Sequence, residues 1–364
     1  MEIDRVELSD FRNYRTLSLT PAPHLNILAG PNAQGKTNLL EGLGVLLVGR
    51  SFRGAKAADM LGWGASSAFV GGEIRRGETV RAIRRAVVLR EDGRWGVGGE
   101  GCPWARAIGF GWQDLAILNG GPQARRNFID GFAGKLYAAH LSGLARYRQV
   151  VARRNHLLQN GAPGAELRRN ALAPWNAQLA RIGLELVTRR RAAVDALETE
   201  ARGLYPTLAG TGAVNLQYCA ALGPETGEAE FLAALEARFP EEARRGQTLV
   251  GPHRDDLLIE VDGRDLRLYG SRGQQRLMAL TLRLAEVGPV ARAVGSAPVL
   301  LLDDALSELD PHVQVRVIEH VSTAGQVFLT TADAALPEVG RVTWWDVREG
   351  RVTDPMLSTV RGAA

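Results

Sequence analysis

The segment that most constrains this 364-residue chain is Gly30-Pro31-Asn32-Ala33-Gln34-Gly35-Lys36-Thr37. It lies between a short apolar run, 25–29, and a stretch where Leu39, Leu40, Leu43, Leu46 and Leu47 recur at helical spacing. A G-x-x-x-x-G-K-[ST] loop between a strand and a helix calls for an α/β sheet. Its glycines let backbone N–H groups turn inward around phosphate oxygens, and the following helix offers its positive end. A Gly-rich turn without a ligand is the competing reading, and the strand–loop–helix context selects nucleotide binding. The spacing therefore predicts a nucleoside triphosphate on Gly30, Pro31, Asn32, Ala33, Gln34, Gly35, Lys36 and Thr37. Lys36 would face the β- and γ-phosphates, and the Thr37 hydroxyl would face Mg²⁺.

Three further segments fit a site of that kind. Val299-Leu300-Leu301-Leu302 reads as a strand buried on both faces, and it ends in Asp303-Asp304. Such a strand delivers carboxylates to the carboxyl edge of a parallel sheet, where ligands bind. Asp303 is expected at the metal and Asp304 at the attacking water. Asp304 is one methylene shorter than a glutamate, so slow turnover is expected. Ser271-Arg272-Gly273-Gln274 opens a helical stripe through Leu277, Leu280 and Leu284 and forms a second candidate anion nest. One nucleotide needs only one cradle, so this nest is expected to meet a triphosphate held by a second copy, unless it is an ordinary Ser-capped helix start. Asp310-Pro311 reads as another helix start, a cap followed by proline. Gln113 is a candidate contact for metal or water.

The organisation of the chain follows from its periodicities. Segments 68–75 and 80–90 read as a small meander attached to the main sheet. Ile129 to Leu158 carries an apolar stripe at helical steps, 160–164 breaks it, and a second stripe runs from Trp175 to Leu197. Two long helices around one turn are expected, with a shorter helix over 231–239. The fold class is thus α/β, a P-loop ATPase head with a mixed sheet and attached meander, plus an inserted helical arm. Boundaries are expected at 1–122 and 246–364 for the split head and 123–245 for the arm. Residues 125–202 hold 14 Arg or Lys against 6 Asp or Glu, whereas the whole chain has a net charge of only +4. The positive charge therefore concentrates in the arm. Only Lys36, Lys56 and Lys135 are lysines, so the arginine excess is ordinary for a GC-rich genome, whereas a lysine inside a phosphate loop stands out. No apolar run approaches the roughly 20 residues of a membrane span. Two distant cysteines, Cys102 and Cys219, suit a reducing compartment. The cytoplasm is the expected location, without a disulfide or membrane attachment.

In chain order, with a helical arm between the phosphate loop and the Ser271 segment, the motifs resemble the SMC-like branch of the ABC ATPases, and more closely the RecF family. The resemblance rests on Phe11-Arg12-Asn13-Tyr14, on the loop continued through Asn38-Leu39-Leu40-Glu41, and on Ser51-Phe52-Arg53. It extends to Gly121-Pro122 with Arg125-Arg126-Asn127-Phe128-Ile129-Asp130, to Gly251-Pro252-His253-Arg254-Asp255-Asp256-Leu257, and to Ser271-Arg272-Gly273-Gln274. It implies an ATP-dependent homodimer with weak DNA-stimulated ATPase activity, binding DNA at single-strand gaps. It also implies RecR as partner, acting with RecO to load RecA. ATP would then sit between two copies, with Arg12 and Arg53 beside the adenosine and DNA near Arg125, Arg126, Arg146, Arg148, Arg153 and Arg154. Those arginines could equally just solvate a helical hairpin.

Two departures from the family pattern bear on the chemistry. Trp112-Gln113-Asp114 stands where the family often has Pro-Glu-Asp, and no histidine follows the strand at 327–329, where Thr330-Thr331-Ala332-Asp333 is found. His253, beside a Gly-Pro turn, is expected to be structural rather than a catalytic base. The alternatives are an ABC-type ATPase subunit of another complex and a small-molecule kinase. The first, as a subunit serving a membrane transporter, is disfavoured by the basic arm and Asp304, and the kinase by the Ser271 nest and the tandem aspartates.

Overall fold

Residues 1–160, 165–223, 226–332 and 341–353 are described in the computed structural model. They fall into two units. The first holds Met1–Leu115, Gly203–Thr211 and the chain from Ser271; the second holds Ala116–Arg202 and Gly212–Gly270.

The first unit begins with β1 (Glu2–Phe11), β2 (Tyr14–Leu19), β3 (Leu25–Ala29), α1 (Lys36–Val48), β4 (Ala68–Arg76), β5 (Thr79–Leu89), β6 (Trp95–Gly98) and β7 (Ala107–Phe110). The chain then builds the second unit from α2 (Ala116–Asn119), α3 (Pro122–Leu136), α4 (His140–Asn160), most of α5 (Ala165–Ala209), β8 (Val214–Cys219), α6 (Glu228–Arg245), β9 (Asp256–Val261), β10 (Arg264–Asp265) and α7 (Leu266–Tyr269). It re-enters the first unit with α8 (Arg272–Ala285), α9 (Val287–Val294), β11 (Val299–Leu302), α10 (Pro311–Ser322), β12 (Val327–Thr331), β13 (Val342–Arg348) and β14 (Arg351–Val352).

The first unit has two sheets. One runs β14-β13-β3-β12-β11-β7, parallel except for the β13–β14 pair. The other is antiparallel, β2-β1-β4-β5-β6. The meander read at 68–90 therefore completes a sheet of its own with β1 and β2 and does not extend the parallel one. α1 packs against strands of both sheets, which explains why it is apolar nearly all round, whereas a surface helix has one apolar stripe. Gly42 and Gly44 give it clearance. A Cβ on Gly42 would lie 2.9 Å from Leu8 Cδ2. Leu39, Leu40 and Leu43 are fully buried here, and truncating one to Ala would cost about 2–5 kcal/mol. Gln326 stitches the two sheets together, accepting from Ile3 N (2.7 Å) and donating to Ile3 O (3.0 Å).

In the second unit the stripe from Ile129 to Leu158 is two helices, not one. Tyr137 leaves helical geometry (φ −121°, ψ 108°), and α4 starts at His140. Residues 161–164, which cover most of the break read at 160–164, lie outside the described residues. The helix expected at 231–239 is longer, α6. Residues 116–122 and 246–270 belong to this unit and 203–211 to the first, which moves the boundaries expected at 122/123 and 245/246. For the second of these the physical reason is β8, which the sequence reading missed and which pairs along its whole length with β9 in a three-stranded sheet, β10-β9-β8.

Buried ion pairs organise this unit. Arg190 forks onto Asp130 (2.8 and 2.9 Å), and His140 adds a 2.9 Å bond to the same carboxylate. Burial alone would push Asp130 up, but the bonds from His140 and Arg190 hold it below the usual carboxylate value. Arg154 pairs with Glu242 at 2.6 Å, both fully buried. Among the described residues no helix is long and apolar enough to cross a membrane.

Candidate nucleotide site

The loop after β3 enters α1 through two glycines that no other residue could replace without strain. Gly30 (φ 151°) would drive a Cβ to 2.3 Å from Val347 O, and Gly35 (φ 113°) to 2.5 Å from Asn13 Nδ2. The loop's outer side is braced. Asn13 Nδ2 donates to Gln34 O (3.1 Å), Tyr14 Oη to Gly35 O (3.0 Å), and Glu349 N to Gln34 Oε1 (2.8 Å).

Lys36 folds back over its own loop. Its Nζ donates to Gly30 O (2.5 Å) and Pro31 O (2.7 Å). Burial pulls the Lys36 pKa down, while Asp304 and Asp303 pull it back up. Thr37 Oγ1 donates to Asp303 Oδ1 at 2.7 Å, and Thr330 Oγ1 donates to the same oxygen at 2.9 Å. Burial raises the Asp303 pKa, opposed by those two hydroxyls and by Arg53. Asn32 to Thr37, Asp303 and Asp304 line an open cavity of about 390 Å³, with Arg53, Trp112 and Arg276 at its sides; Gly30 and Pro31 are not part of the lining.

The donor set suits a triphosphate with Mg²⁺. One hydroxyl and one carboxylate oxygen are hard ligands already side by side, and Mg²⁺ usually takes one or two protein oxygens and completes its shell from phosphates and water. Among the described residues no cluster of three or more His, Cys, Asp or Glu offers a metal cage made of protein alone.

Several expected residues lie elsewhere. Arg12 does not line the cavity. Its guanidinium forks onto Glu41 (2.7 and 3.1 Å), a buried carboxylate that also accepts from Ser51 Oγ and lies 3.8 Å from Arg53. Gln113 is not in the lining either. Its amide points to Phe52 O (3.4 Å), and the exposed Trp112 reaches the cavity in its place. Thr330 and Ala332 are at the cavity, while Asp333 lies outside the described residues. Ser271, Arg272, Gly273 and Gln274, expected at the triphosphate of a second copy and not at this one, form the start of α8 and do not line this cavity. Ser271 and Gln274 close a reciprocal capping box there: Ser271 Oγ accepts from Gln274 N (3.2 Å), and Gln274 Oε1 accepts from Ser271 N (2.9 Å). Asp310 is the N-cap residue of α10 and Pro311 its first helical residue, the helix start expected there, but the Asp310 side chain makes no capping bond.

Sequence reasoning missed Arg276 and gave Glu41 no role beyond its place in the family resemblance. Arg276 Nη2 donates to Asp304 O and to Ser307 Oγ. Only their chemistry could have flagged them, as a buried cation one turn into a helix and a buried acid in an otherwise apolar one.

Residues 5–151 match the AAA domain family. RecF from Anaeromyxobacter sp. (strain Fw109-5) is 34% identical over 378 residues, covering 98% of this chain and 100% of that protein. RecF from Macrococcus caseolyticus is 31% identical, covering 97% and 100%. The chain belongs to the RecF family. A solved structure described as the recombination mediator protein RecF-ATP in the RecFOR pathway superposes with a TM-score of 0.84 at 25% identity, over 97% of each chain. An Smc head bound to the C-terminal winged-helix domain of ScpA shares the fold, with a TM-score of 0.57 at 17% identity over 98% of each chain. The RecF-family fold here is therefore the SMC-type P-loop ATPase head with a helical insertion.

The arm arginines divide sharply. Arg125 is only 3% exposed and forks onto Asp256 (2.6 and 2.8 Å); Arg154 is locked to Glu242. Neither can reach a nucleic-acid backbone, which corrects the expectation for both. Arg126 donates to Asp255 O at 2.7 Å. Arg146, Arg148 and Arg153 are exposed along α4. His253 is enclosed between two partners, Tyr147 Oη at Nδ1 (2.8 Å) and Thr248 O at Nε2 (3.0 Å). A carbonyl only accepts, so Nε2 carries the proton and Tyr147 donates to Nδ1. Burial lowers the His253 pKa to about 4. This is a structural histidine.

Proposed function

We propose that this RecF-family chain is an ATP-dependent DNA clamp of recombinational repair, and that two copies close on ATP and Mg²⁺ at gapped DNA. The reading rests on one observation: a complete phosphate cradle with Lys36, Thr37 and Asp303 opens on solvent, while the same unit presents the exposed, capped start of α8 outside its own cavity. Each chain thus has one half of a site that a second copy could complete, an isologous arrangement that closes with two-fold symmetry. Lys36 is held where it can exchange loop carbonyls for phosphate oxygens. A divalent cation held by Thr37 and Asp303 would neutralise charge on the terminal phosphates. Asp304 would orient water, and the N–H groups at Ser271–Gln274 would cap the partner's γ-phosphate. Hydrolysis would remove the contact that distinguishes closed from open and release the clamp.

DNA contact belongs to the exposed Arg146, Arg148 and Arg153, as sequence-neutral phosphate binding. Family membership supports weak DNA-stimulated ATPase activity, a cytoplasmic site of action, and RecR with RecO as partners in loading RecA. Gel filtration of wild type and Ser271→Arg, with and without ATP and Mg²⁺, tests the reading. Nucleotide-dependent dimers lost in the variant are expected, whereas a wild type that stays monomeric with MgATP would end it.

A further inference from the structure

α8 is tied to both walls of its own chain's nucleotide cavity. Its N-terminal turn carries Ser271. One turn on, Arg276 is buried, and its Nη2 reaches Asp304 O and Ser307 Oγ and lies 3.7 Å from Asp304 Oδ2. Seven residues further, on the same face, Arg283 pairs with Asp114 Oδ1 (2.6 Å), and Asp114 Oδ2 in turn accepts from Gly111 N (2.9 Å) at the turn that carries Trp112. Asp304 and Trp112 both line the cavity.

The turn that Arg276 holds is under constraint. Asp304 (φ 50°) and Glu308 (φ 60°) are both in left-handed geometry, a conformation that non-glycine residues keep only where their surroundings enforce it. Ser307 Oγ donates to Asp304 Oδ2 at 2.8 Å, and Gln314 Nε2 donates to Leu306 O and Leu309 O. Arg276 Nε is buried with no partner, so its guanidinium is committed to this turn through one nitrogen and keeps a spare donor.

We infer that Arg276 is a positioning residue that links the two nucleotide sites of a dimer through a single chain, holding Asp304 at the chain's own triphosphate according to how the Ser271 turn is engaged at the partner's. This inference rests on the clamp reading above. A rigid helix whose first turn contacts one ligand and whose second turn holds the acid serving another transmits small displacements directly. A misplacement of about 1 Å at such an acid is worth up to about a hundred-fold in rate. The device gives cooperative hydrolysis from the local geometry of one helix.

The test measures MgATP affinity, dimerisation and steady-state hydrolysis for full-length wild type, Arg276→Met, Arg276→Lys and Ser307→Ala. MgATP-dependent dimers are expected in every variant, and wild-type nucleotide affinity in Ser307→Ala, whose side chain does not line the cavity. Arg276 does line it, and in Arg276→Met kcat should fall about ten- to a hundred-fold beyond any change in KM, and the Hill coefficient should fall to about one. Arg276→Lys should recover part of kcat, and the Arg276→Met/Ser307→Ala double variant should be no slower than Arg276→Met alone. Ser307→Ala keeps the test open if Arg276→Met does not fold. Wild-type kcat and Hill coefficient in both Arg276→Lys and Ser307→Ala, with normal dimers, would overturn the coupling alone. A wild type that never dimerises on MgATP would overturn the clamp reading beneath it.

Discussion

Thr37 Oγ1 and Asp303 Oδ1 are joined by a 2.7 Å hydrogen bond across 266 residues of sequence. The bond brings the start of α1 to the end of β11 and places a hydroxyl and a carboxylate where one metal ion could take an oxygen from each. Because Thr330 shares the same carboxylate oxygen, neighbouring strands β11 and β12 are both fixed to the loop.

Lys36→Ala should therefore reduce MgATP affinity by at least about ten-fold, since a charge-assisted contact to phosphate is lost. The fold should persist, because the Lys36 ammonium is bonded only to its own loop. Titration calorimetry with MgATP, alongside a thermal melt, checks both halves. Unchanged affinity would remove Lys36 from the phosphate site.

Asp303→Asn should abolish the Mg²⁺ dependence of nucleotide binding and leave a weaker, metal-independent residue of affinity. It should not unfold the chain, because the amide oxygen can still accept from Thr37 and Thr330. Binding measured with and without EDTA gives the answer. A Mg²⁺ response equal to wild type would move the metal elsewhere.

Breaking the Arg190–Asp130 pair with Asp130→Ala should destabilise the helical unit by about 3–5 kcal/mol, because a buried guanidinium is left uncompensated. The pH sign follows from the lowered Asp130 pKa. Its contribution is full above the unfolded carboxylate value near 4 and is lost only as pH falls through the lower folded value. Urea unfolding at pH 7 and in acid measures it. Equal stability of wild type and variant at pH 7 would refute the role.

His253 has the opposite charge logic. Its folded pKa of about 4 lies below the unfolded value of about 6.5. The folded state holds it neutral, so its contribution is complete above the unfolded value and erodes as pH falls from there toward 4. His253→Ala should cost about 1–3 kcal/mol through the stranded Tyr147 hydroxyl, since the Thr248 carbonyl still accepts from Arg254 Nη2 (2.9 Å), and leave the pH profile of ATP hydrolysis unmoved. A limb of that profile that vanishes in the variant would restore His253 as a catalytic group.

On DNA, Arg146→Ala/Arg148→Ala/Arg153→Ala should weaken binding evenly across sequences and flatten the dependence of log K on log salt by about two to three. Arg125→Ala and Arg154→Ala should show their effect first in thermal stability. Fluorescence anisotropy at two salt concentrations, set beside melting curves, separates the groups. A triple variant with the wild-type salt slope would place the DNA surface elsewhere.

Local pattern was enough to read Gly30–Thr37, the strand at 299–302 with its two aspartates, and the helix start at Asp310-Pro311, because each carries its chemistry in consecutive residues and a phosphate loop is a property of backbone conformation. Sequence alone also placed Ser271 at a helix start. Pairing over long distances decided the rest. β8 is six residues of mixed polarity whose strand character comes from β9, and that pairing redrew the boundary between the units. Periodicity could not separate α3 from α4, since the same apolar face continues through the break at Tyr137. Counting charge showed a basic arm but could not tell Arg154, locked on Glu242, from Arg153, its exposed neighbour; burial depends on which carboxylate the fold brings near. Trp112 replaced Gln113 at the cavity for the same reason: a one-residue difference in a turn reverses which side chain faces the ligand, and only the packed neighbours set that direction.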